Sequence, residues 1–254
     1  MRLLEQAAGE AGRIAMRFFK QSPEVWMKGG TSPVSEADFA VDRYLREALT
    51  SARPDYGWLS EEMTDDHRRL SSRRTFVVDP IDGTRGFLEG SRSWCVSVAI
   101  VDRGEPVAGV LECPARAETF SAAAGCQARR NGEVIRVREP GQHPRVSGNK
   151  PMIDAMPEPW RSSFERMPYV PSLAYRVAMV ASGGIDATFV KPHAHDWDLA
   201  ACDVILREAG GAILTEAGHA PRYADGDPRH GMLVAGSGLL LKAMAASIAT
   251  QPLA

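Results

Sequence analysis

The chain has 254 residues, 44% of them hydrophobic and 24% charged, enough to bury a full core as one large domain or two closely packed ones. A formal charge of -2 excludes a global attraction to nucleic acid or anionic membrane, so any anion must be gripped locally. Four scattered cysteines (Cys95, Cys113, Cys126 and Cys202) show no C-x-x-C spacing, which excludes a cysteine zinc site and predicts reduced thiols in a cytoplasmic protein.

Leu3, Leu4, Ala7, Ala8, Ala11, Ile14, Ala15, Phe18 and Phe19 recur at three- and four-residue steps, which predicts an amphipathic helix. Glu5, Glu10, Arg13 and Arg17 interrupt it, so it reads as neither signal peptide nor membrane span. Pro23 and Gly29-Gly30 break the pattern. Ser35 then opens a second helix with Asp38 three places on, in the manner of a capping box, and the helix runs until Pro54. As a first-turn acid, Asp38 would favour the positive end of the helix dipole. Trp58-Leu59-Ser60 predicts a short strand ending on Glu61-Glu62. Adjacent residues of an extended segment point to opposite sides, so one of the two acids could face a shared site and the other solvent; both also fit a solvated charge pair. The run Thr64 to Arg74 reads as a mobile surface loop.

Thr75 to Val78 is a β-branched and aromatic run, a buried strand that Asp79-Pro80 should close because proline cannot donate to a ladder. Asp79 and Asp82 stand three apart across a proline-stiffened turn. Their carboxylates and the Ile81 carbonyl could converge on one hard cation, which prefers oxygen ligands, although solvated acids at a strand end would look the same in isolation. Gly83 lets backbone approach a ligand closely, and the N–H groups of Gly83 and Thr84 could form an anion nest.

Trp94 to Val101 and Val107 to Leu111 predict a hairpin, and Thr119 to Ala122 and Val134 to Val137 continue it as short strands around the turn dipeptide Asn131-Gly132. Pro, Gly, Gln and His between Glu139 and Pro144 mark a boundary between an N-terminal part, 1–143, and a C-terminal part, 144–254. The second part carries a helix from Ser172 to Ser182, a strand from Ile185 to Val190, a helix entered through Trp197-Asp198, two more strands and a last helix, a pattern that favours a parallel or mixed sheet covered by helices. Asp198, in a first turn, either stabilises the dipole or projects a carboxylate past the helix end.

Asp79-Pro80-Ile81-Asp82-Gly83-Thr84, followed downstream by Trp197-Asp198-Leu199-Ala200-Ala201 and Glu208-Ala209-Gly210-Gly211, resembles the lithium-sensitive, magnesium-dependent inositol monophosphatase superfamily, in order and over nearly the whole chain. The resemblance implies an α+β fold, a layered α-β-α-β-α sandwich with an antiparallel-rich N-terminal sheet and a mixed C-terminal sheet. It implies that Glu61, Asp79, Asp82, Asp198 and the Ile81 carbonyl ligate two or three Mg²⁺ ions, with Glu61 also counted as catalytic. Thr84 and Asp38 match a water-activating pair, and Gly83 with Thr84 a phosphate grip. The implied reaction is in-line attack of activated water on a phosphate monoester, which fits the absence of a P-loop or cysteine-nucleophile motif.

Arg85-Gly86-Phe87-Leu88 resembles the Lys-Gly-Phe-Leu continuation of 3'(2'),5'-bisphosphate nucleotidases of the CysQ type, as does Ser60 before the acid pair. Lys191 stands where inositol phosphatases carry a glutamate that grips hydroxyls, and a cation suits a second phosphate better. The loop nevertheless lacks the arginine spacing of CysQ sequences. Arg85, Lys191 and Asp198 are therefore the expected substrate contacts, and adenosine 3',5'-bisphosphate the expected ester, with inositol 1-phosphate and histidinol phosphate as alternatives. Lys191 also fits a solvated loop lysine, and His193 and His195 fit surface histidines. A regulatory binding module of the RNA-polymerase-associated kind is the reading from another class; the intact acids and Thr84 disfavour it. The expected partners are a small phosphate ester and, as among relatives, a second copy of the chain in a homodimer, with neither membrane nor nucleic acid.

Overall fold

The computed structural model describes residues 1–28 and 32–250; the expected break at Gly29-Gly30 lies outside them. The first helix, α1 (Arg2–Phe18), buries the predicted stripe of Leu4, Ala7, Ala8, Ala11 and Ala15. An unpredicted antiparallel hairpin follows, β1 (Val25–Lys28) and β2 (Ser32–Ser35). Its Val25, Trp26 and Met27 stay exposed, which leaves no buried alternation for a sequence reading to detect. Helix α2 (Glu36–Ala52) begins at the expected capping box, the Ser35 N–H donating to Asp38 Oδ2 at 2.8 Å. Helices α1 and α2 pack on one face of a seven-stranded sheet through Val41, Leu45, Leu49, Phe76, Val78 and Val98.

That sheet is ordered β3 (Gly57–Ser60), β4 (Arg74–Asp82), β5 (Cys95–Asp102), β6 (Glu105–Cys113), β7 (Glu118–Ala123), β8 (Arg129–Arg130) and β9 (Glu133–Val134). Only β3 and β4 run parallel; the other neighbours are antiparallel. Strand β4 carries a continuous apolar run from Phe76 to Val78 because both faces are covered there, Phe76 and Val78 on one side and Val77 on the other. It does not stop at Asp79-Pro80 as expected but continues to Asp82, and its pairing with β5 slips between Asp79↔Ser97 and Asp82↔Cys95. Three steps on β4 oppose two on β5, a bulge that spares Pro80 the hydrogen bond it could not make. At the other end of the sheet the strand expected over Val134 to Val137 stops at Val134.

A five-stranded mixed sheet is formed by β10 (Arg145–Ser147), β11 (Glu165–Arg166), β12 (Ala187–Val190), β13 (Ala212–Thr215) and β14 (Leu233–Gly236), in the order β11-β10-β12-β14-β13. Strand β10 is parallel to β11 and β12, and β14 is antiparallel to β12 and β13. A short helix, α3 (Thr84–Leu88), follows β4, and α4 (Lys150–Asp154) and α5 (Trp160–Ser163) follow β10. Helices α6 (Leu173–Ala181) and α7 (Asp196–Glu208) lie between the sheets in a core that joins Leu111 and Phe120 to Val177, Val204 and Leu233. Helix α8 (Gly238–Ile248) and α4 cover the outer face of the mixed sheet through Met152, Phe189, Val234 and Met244. The result is the expected α-β-α-β-α layering. Among the described residues no helix is long and apolar enough to cross a membrane, and all four cysteines are free.

The run Thr64 to Arg74 lies at the surface as its charges suggest, but one buried arginine pins it. Arg69 is 3% exposed, with Nε and Nη2 on Asp65 Oδ2 at 3.0 and 2.8 Å and further bonds to the carbonyls of Ala224 and Asp225. An arginine can be buried because its five donors satisfy acceptors from several segments at once. Arg69→Met is expected to cost about 3 kcal/mol by stranding those acceptors, a fall of roughly 6–12 °C in Tm by calorimetry. An unchanged Tm would return the segment to the mobile-loop reading.

Candidate metal centre and active site

The bulge in β4 decides where its acids point. Asp79 is 1% exposed and its Oδ1 accepts the Ile81 N–H at 2.9 Å, an Asx turn that closes around Pro80. Asp82, 5% exposed, meets the start of α6: it accepts from the Ser172 hydroxyl, from the Ala174 N–H at 2.7 Å and from the Leu173 N–H at 3.3 Å. Asp198, in the first turn of α7, accepts the His195 N–H at 2.7 Å. Capping and projection, the two roles open to Asp198, are thus filled together, because a carboxylate has lone pairs for both. Oxygens of Asp79, Asp82 and Asp198 all lie within 4.8 Å of one another.

These three line a cleft of about 440 Å³ with Glu61, Ile81, Gly83, Thr84, Arg85, Glu89 and Tyr169. Glu61 shares the cleft but stands outside the tight trio. Its neighbour Glu62 does turn away, as the alternation required, yet not to solvent: its side chain is 2% exposed and pairs with Lys28 of the hairpin. Lys28 also donates to the Glu61 carbonyl at 3.1 Å and lies 4.0 Å from Glu61 Oε1.

Gly83 is in the left-handed region (φ 91°), and a Cβ there would stand 3.0–3.2 Å from Ser172. Glycine is therefore required twice, by the turn into α3 and by the approach of α6. Thr84 Oγ1 lies 3.0 Å from the Ile81 carbonyl and 3.3 Å from Asp38 Oδ1, so its single hydrogen serves one of two acceptors. Asp38 Oδ2 is already held by the N–H and hydroxyl of Ser35. Its capping role thus leaves Oδ1 free for the site.

Arg85 lines the main cleft, and Lys191 lines a smaller adjoining one of about 160 Å³ that shares Tyr169, Pro171 and Asp198 with it. His193 is exposed, and His195 stacks flat on Trp197 at 4.5 Å while its N–H holds Asp198. Ser172 and Lys28 were not singled out for the site. Ser172 carried a readable signal as the N-cap of α6, where it accepts the Tyr175 N–H at 3.0 Å, but its contact with Asp82 spans 90 residues of sequence. Lys28 carried none.

The electrostatics are those of an uncompensated acidic pocket. Burial pushes the Asp79 carboxyl well up, and Glu61, Asp82 and Asp198 push it further. Asp198 is likewise raised well above the usual range by burial and then by Asp82. Asp82 is raised by burial, against the pull of Ser172 and the α6 N–H groups. Glu61 is raised to about 7 by burial and Glu62, with Lys28 opposing. Among the described residues the hydrogen bonds to the trio come from neutral N–H, O–H and S–H donors, and of the trio Asp82 also feels the Arg176 guanidinium, so most of the charge is left for something else to balance. A donor set made only of oxygens fits a hard divalent cation such as Mg²⁺ and poorly suits zinc.

Residues 2–251 match the inositol monophosphatase family. The Nus factor SuhB of Xylella fastidiosa is 32% identical, over 92% of this chain and 89% of its own. The inositol-1-monophosphatase of Rhizobium meliloti is 31% identical, over 96% and 94%. Proteins named as a 3'(2'),5'-bisphosphate nucleotidase and a histidinol-phosphatase are also among the relatives. The crystal structure of the extragenic suppressor protein suhB from Bartonella henselae superposes with a TM-score of 0.83 at 27% identity, covering 99% of both chains. A match of this extent, carried by a fold of five layers and by acids gathered at the motif positions, is decisive: the chain belongs to the inositol monophosphatase family, whose members are phosphatases acting on phosphate monoesters.

Proposed function

We propose that this phosphatase uses Mg²⁺ held by Asp79, Asp82, Asp198, Glu61 and the Ile81 carbonyl, and that its preferred ester is adenosine 3',5'-bisphosphate, cleaved at the 3'-phosphate. The observation that carries the metal assignment is the convergence of three carboxylates, two buried and one half-buried, beside a glycine turn. When bound, two or three such ions supply Lewis acidity for the phosphoryl oxygens and for water.

The chain's own residues do the rest. Gly83 and Thr84 line the same cleft, and their N–H groups would orient a phosphoryl oxygen. With its hydrogen given to Asp38, the farther of its two acceptors, Thr84 would have Oγ1 lone pairs free to take a proton from attacking water. Asp38 is fit for that relay because Ser35 fixes its other oxygen. Thr84→Val, which keeps the shape and deletes the hydroxyl, is expected to lower kcat by about 10²–10⁴ with KM little changed. Equal kcat values in steady-state kinetics would remove Thr84 from the chemistry.

The adjoining cleft favours a substrate with a second anion and a flat ring. Lys191 lines it, and Tyr169, 62% exposed, offers an aromatic face at the junction of the two clefts. Phosphate release from adenosine 3',5'-bisphosphate, inositol 1-phosphate and histidinol phosphate, each with and without Mg²⁺, tests both parts. The bisphosphate should give the highest kcat/KM, and Lys191→Ala should lower that value about tenfold or more while sparing inositol 1-phosphate. A preference for inositol 1-phosphate would overturn the substrate, and equal rates without divalent metal would overturn the metal. No turnover of any ester would favour a binding role instead.

A further inference from the structure

At the end of β4 opposite the carboxylate cleft lies a separate pocket of about 280 Å³, lined by Arg69, Arg73, Arg103 and Arg222 with Asp225 on its rim. The arginines come from distant parts of the chain: two precede β4, one sits in the β5–β6 turn, and one lies between β13 and β14. Acids only partly neutralise them. Asp65 takes Arg69, Asp102 is shared between Arg73 and Arg74, and Asp225 stands 3.7 Å from Arg222 on the exposed rim. Four guanidiniums thus divide three carboxylates, and among the described residues a fifth, on the Arg103 side chain, has no ion-pair partner.

Backbone carbonyls hold this group together. Arg69 donates to the carbonyls of Ala224 and Asp225 at 2.5 and 2.7 Å, and Arg222 to that of Arg103 at 3.0 Å. A carbonyl positions a guanidinium without cancelling its charge. The turn is shaped for the purpose: Arg103 and Gly104 are both left-handed (φ 53° and 87°), and a Cβ on Gly104 would fall 2.3 Å from Arg222 Nη2. Glycine there lets the Arg222 guanidinium lie directly on the turn, while the Tyr223 N–H locks the strand crossing by donating to the Gly104 carbonyl at 3.0 Å.

We infer that this pocket is a second, non-catalytic anion site that takes a phosphate group, either free or on a small metabolite. Arg73, Arg103 and Arg222 would grip the oxygens from the mouth, over the buried guanidinium of Arg69. Planar guanidinium forks match phosphate oxygens two at a time, and in a chain with a net charge of -2 this is a local island of positive charge.

The metal-free full-length chain separates this site from the catalytic one, because without metal the cleft of Asp79, Asp82 and Asp198 repels anions. Calorimetric titration with inorganic phosphate in chelator should show one saturable site. Binding should weaken at least tenfold in the Arg73→Gln/Arg103→Asn double variant and stay unchanged in Asp82→Asn. Both arginines are exposed, and asparagine tolerates the left-handed turn, so the double variant keeps the fold. With Mg²⁺ a second site should appear that Asp82→Asn removes and the double variant retains. Adenosine 5'-monophosphate in the same chelated titration tells the sources apart: tighter binding than phosphate identifies a metabolite site, weaker binding a site for the free ion. Absence of binding in chelator, or binding that survives the double variant, would overturn the inference and leave the hydrolase reading untouched.

Discussion

Asp79→Asn should lower turnover by about a thousandfold and, in the same protein stripped of divalent metal, raise the melting temperature. Both halves follow from one fact, that Asp79 is a buried acid crowded by Glu61, Asp82, Asp198 and Asp38. Asparagine keeps the size and the oxygen that accepts the Ile81 N–H, so the Asx turn survives. What changes is the charge. In metal-free protein at pH 8 the native acid must either ionise, buried and against its neighbours, or take up a proton that a free carboxyl would have released. Removing that conflict should stabilise by about 1–2 kcal/mol, roughly 3–6 °C for a chain of this size. For catalysis the same charge is what a divalent cation needs, and losing several kcal/mol of charge compensation amounts to about three orders of magnitude in rate. Steady-state kinetics with Mg²⁺ and thermal unfolding with chelator check the two effects on one preparation. A variant that is slow and also less stable without metal would show that Asp79 is a structural acid and not a strained functional one.

The contrast between Asp79 and Asp82 shows what could be read from the sequence. The strand, the proline and the spacing of the two acids were legible because each is a local preference: β-branched residues, a missing N–H, a turn. The capping box at Ser35 and Asp38 and the stripes of α1 and α2 were legible for the same reason. The bulge that carries β4 through Pro80 was not, since it depends on the register with β5. Nor was the grip of α6 on Asp82, which joins Ser172 to a residue 90 positions away. Arg69 misled for a related reason. In sequence it is one charge in a polar run, and only the return of Ala224 and Asp225 from the far end of the chain makes a buried arginine affordable. Glu62 shows the limit of alternation, which predicts the side a residue faces but not whether a lysine from another hairpin waits there.

The stabilisation given by Mg²⁺ should grow as pH rises from about 5 through about 7, whereas surface acids, already ionised at pH 5, would give a flat response. Glu61 has its folded-state value raised from 4.5 to about 7, by burial first and Glu62 second, with Lys28 opposing. In metal-free protein the folded state therefore binds more protons than the unfolded one across that window. Stability from this group is complete below about 4.5 and is lost as pH climbs through 7. A ligand carboxylate must be ionised, so at low pH the metal has to displace a proton and at high pH it meets a bare, destabilised charge. Asp79 and Asp198, raised in the same direction, extend the trend upward. The Glu61 side chain keeps 23% exposure, which trims its full effect to about 2 kcal/mol, or a difference of roughly 4–8 °C in the Mg²⁺-induced Tm shift between pH 5 and pH 8. Unfolding scans with and without saturating Mg²⁺ at four pH values between 5 and 8.5 measure it directly. A shift that is flat with pH, or largest at pH 5, would mean that the cation is not held by carboxylates whose protons the fold has retained.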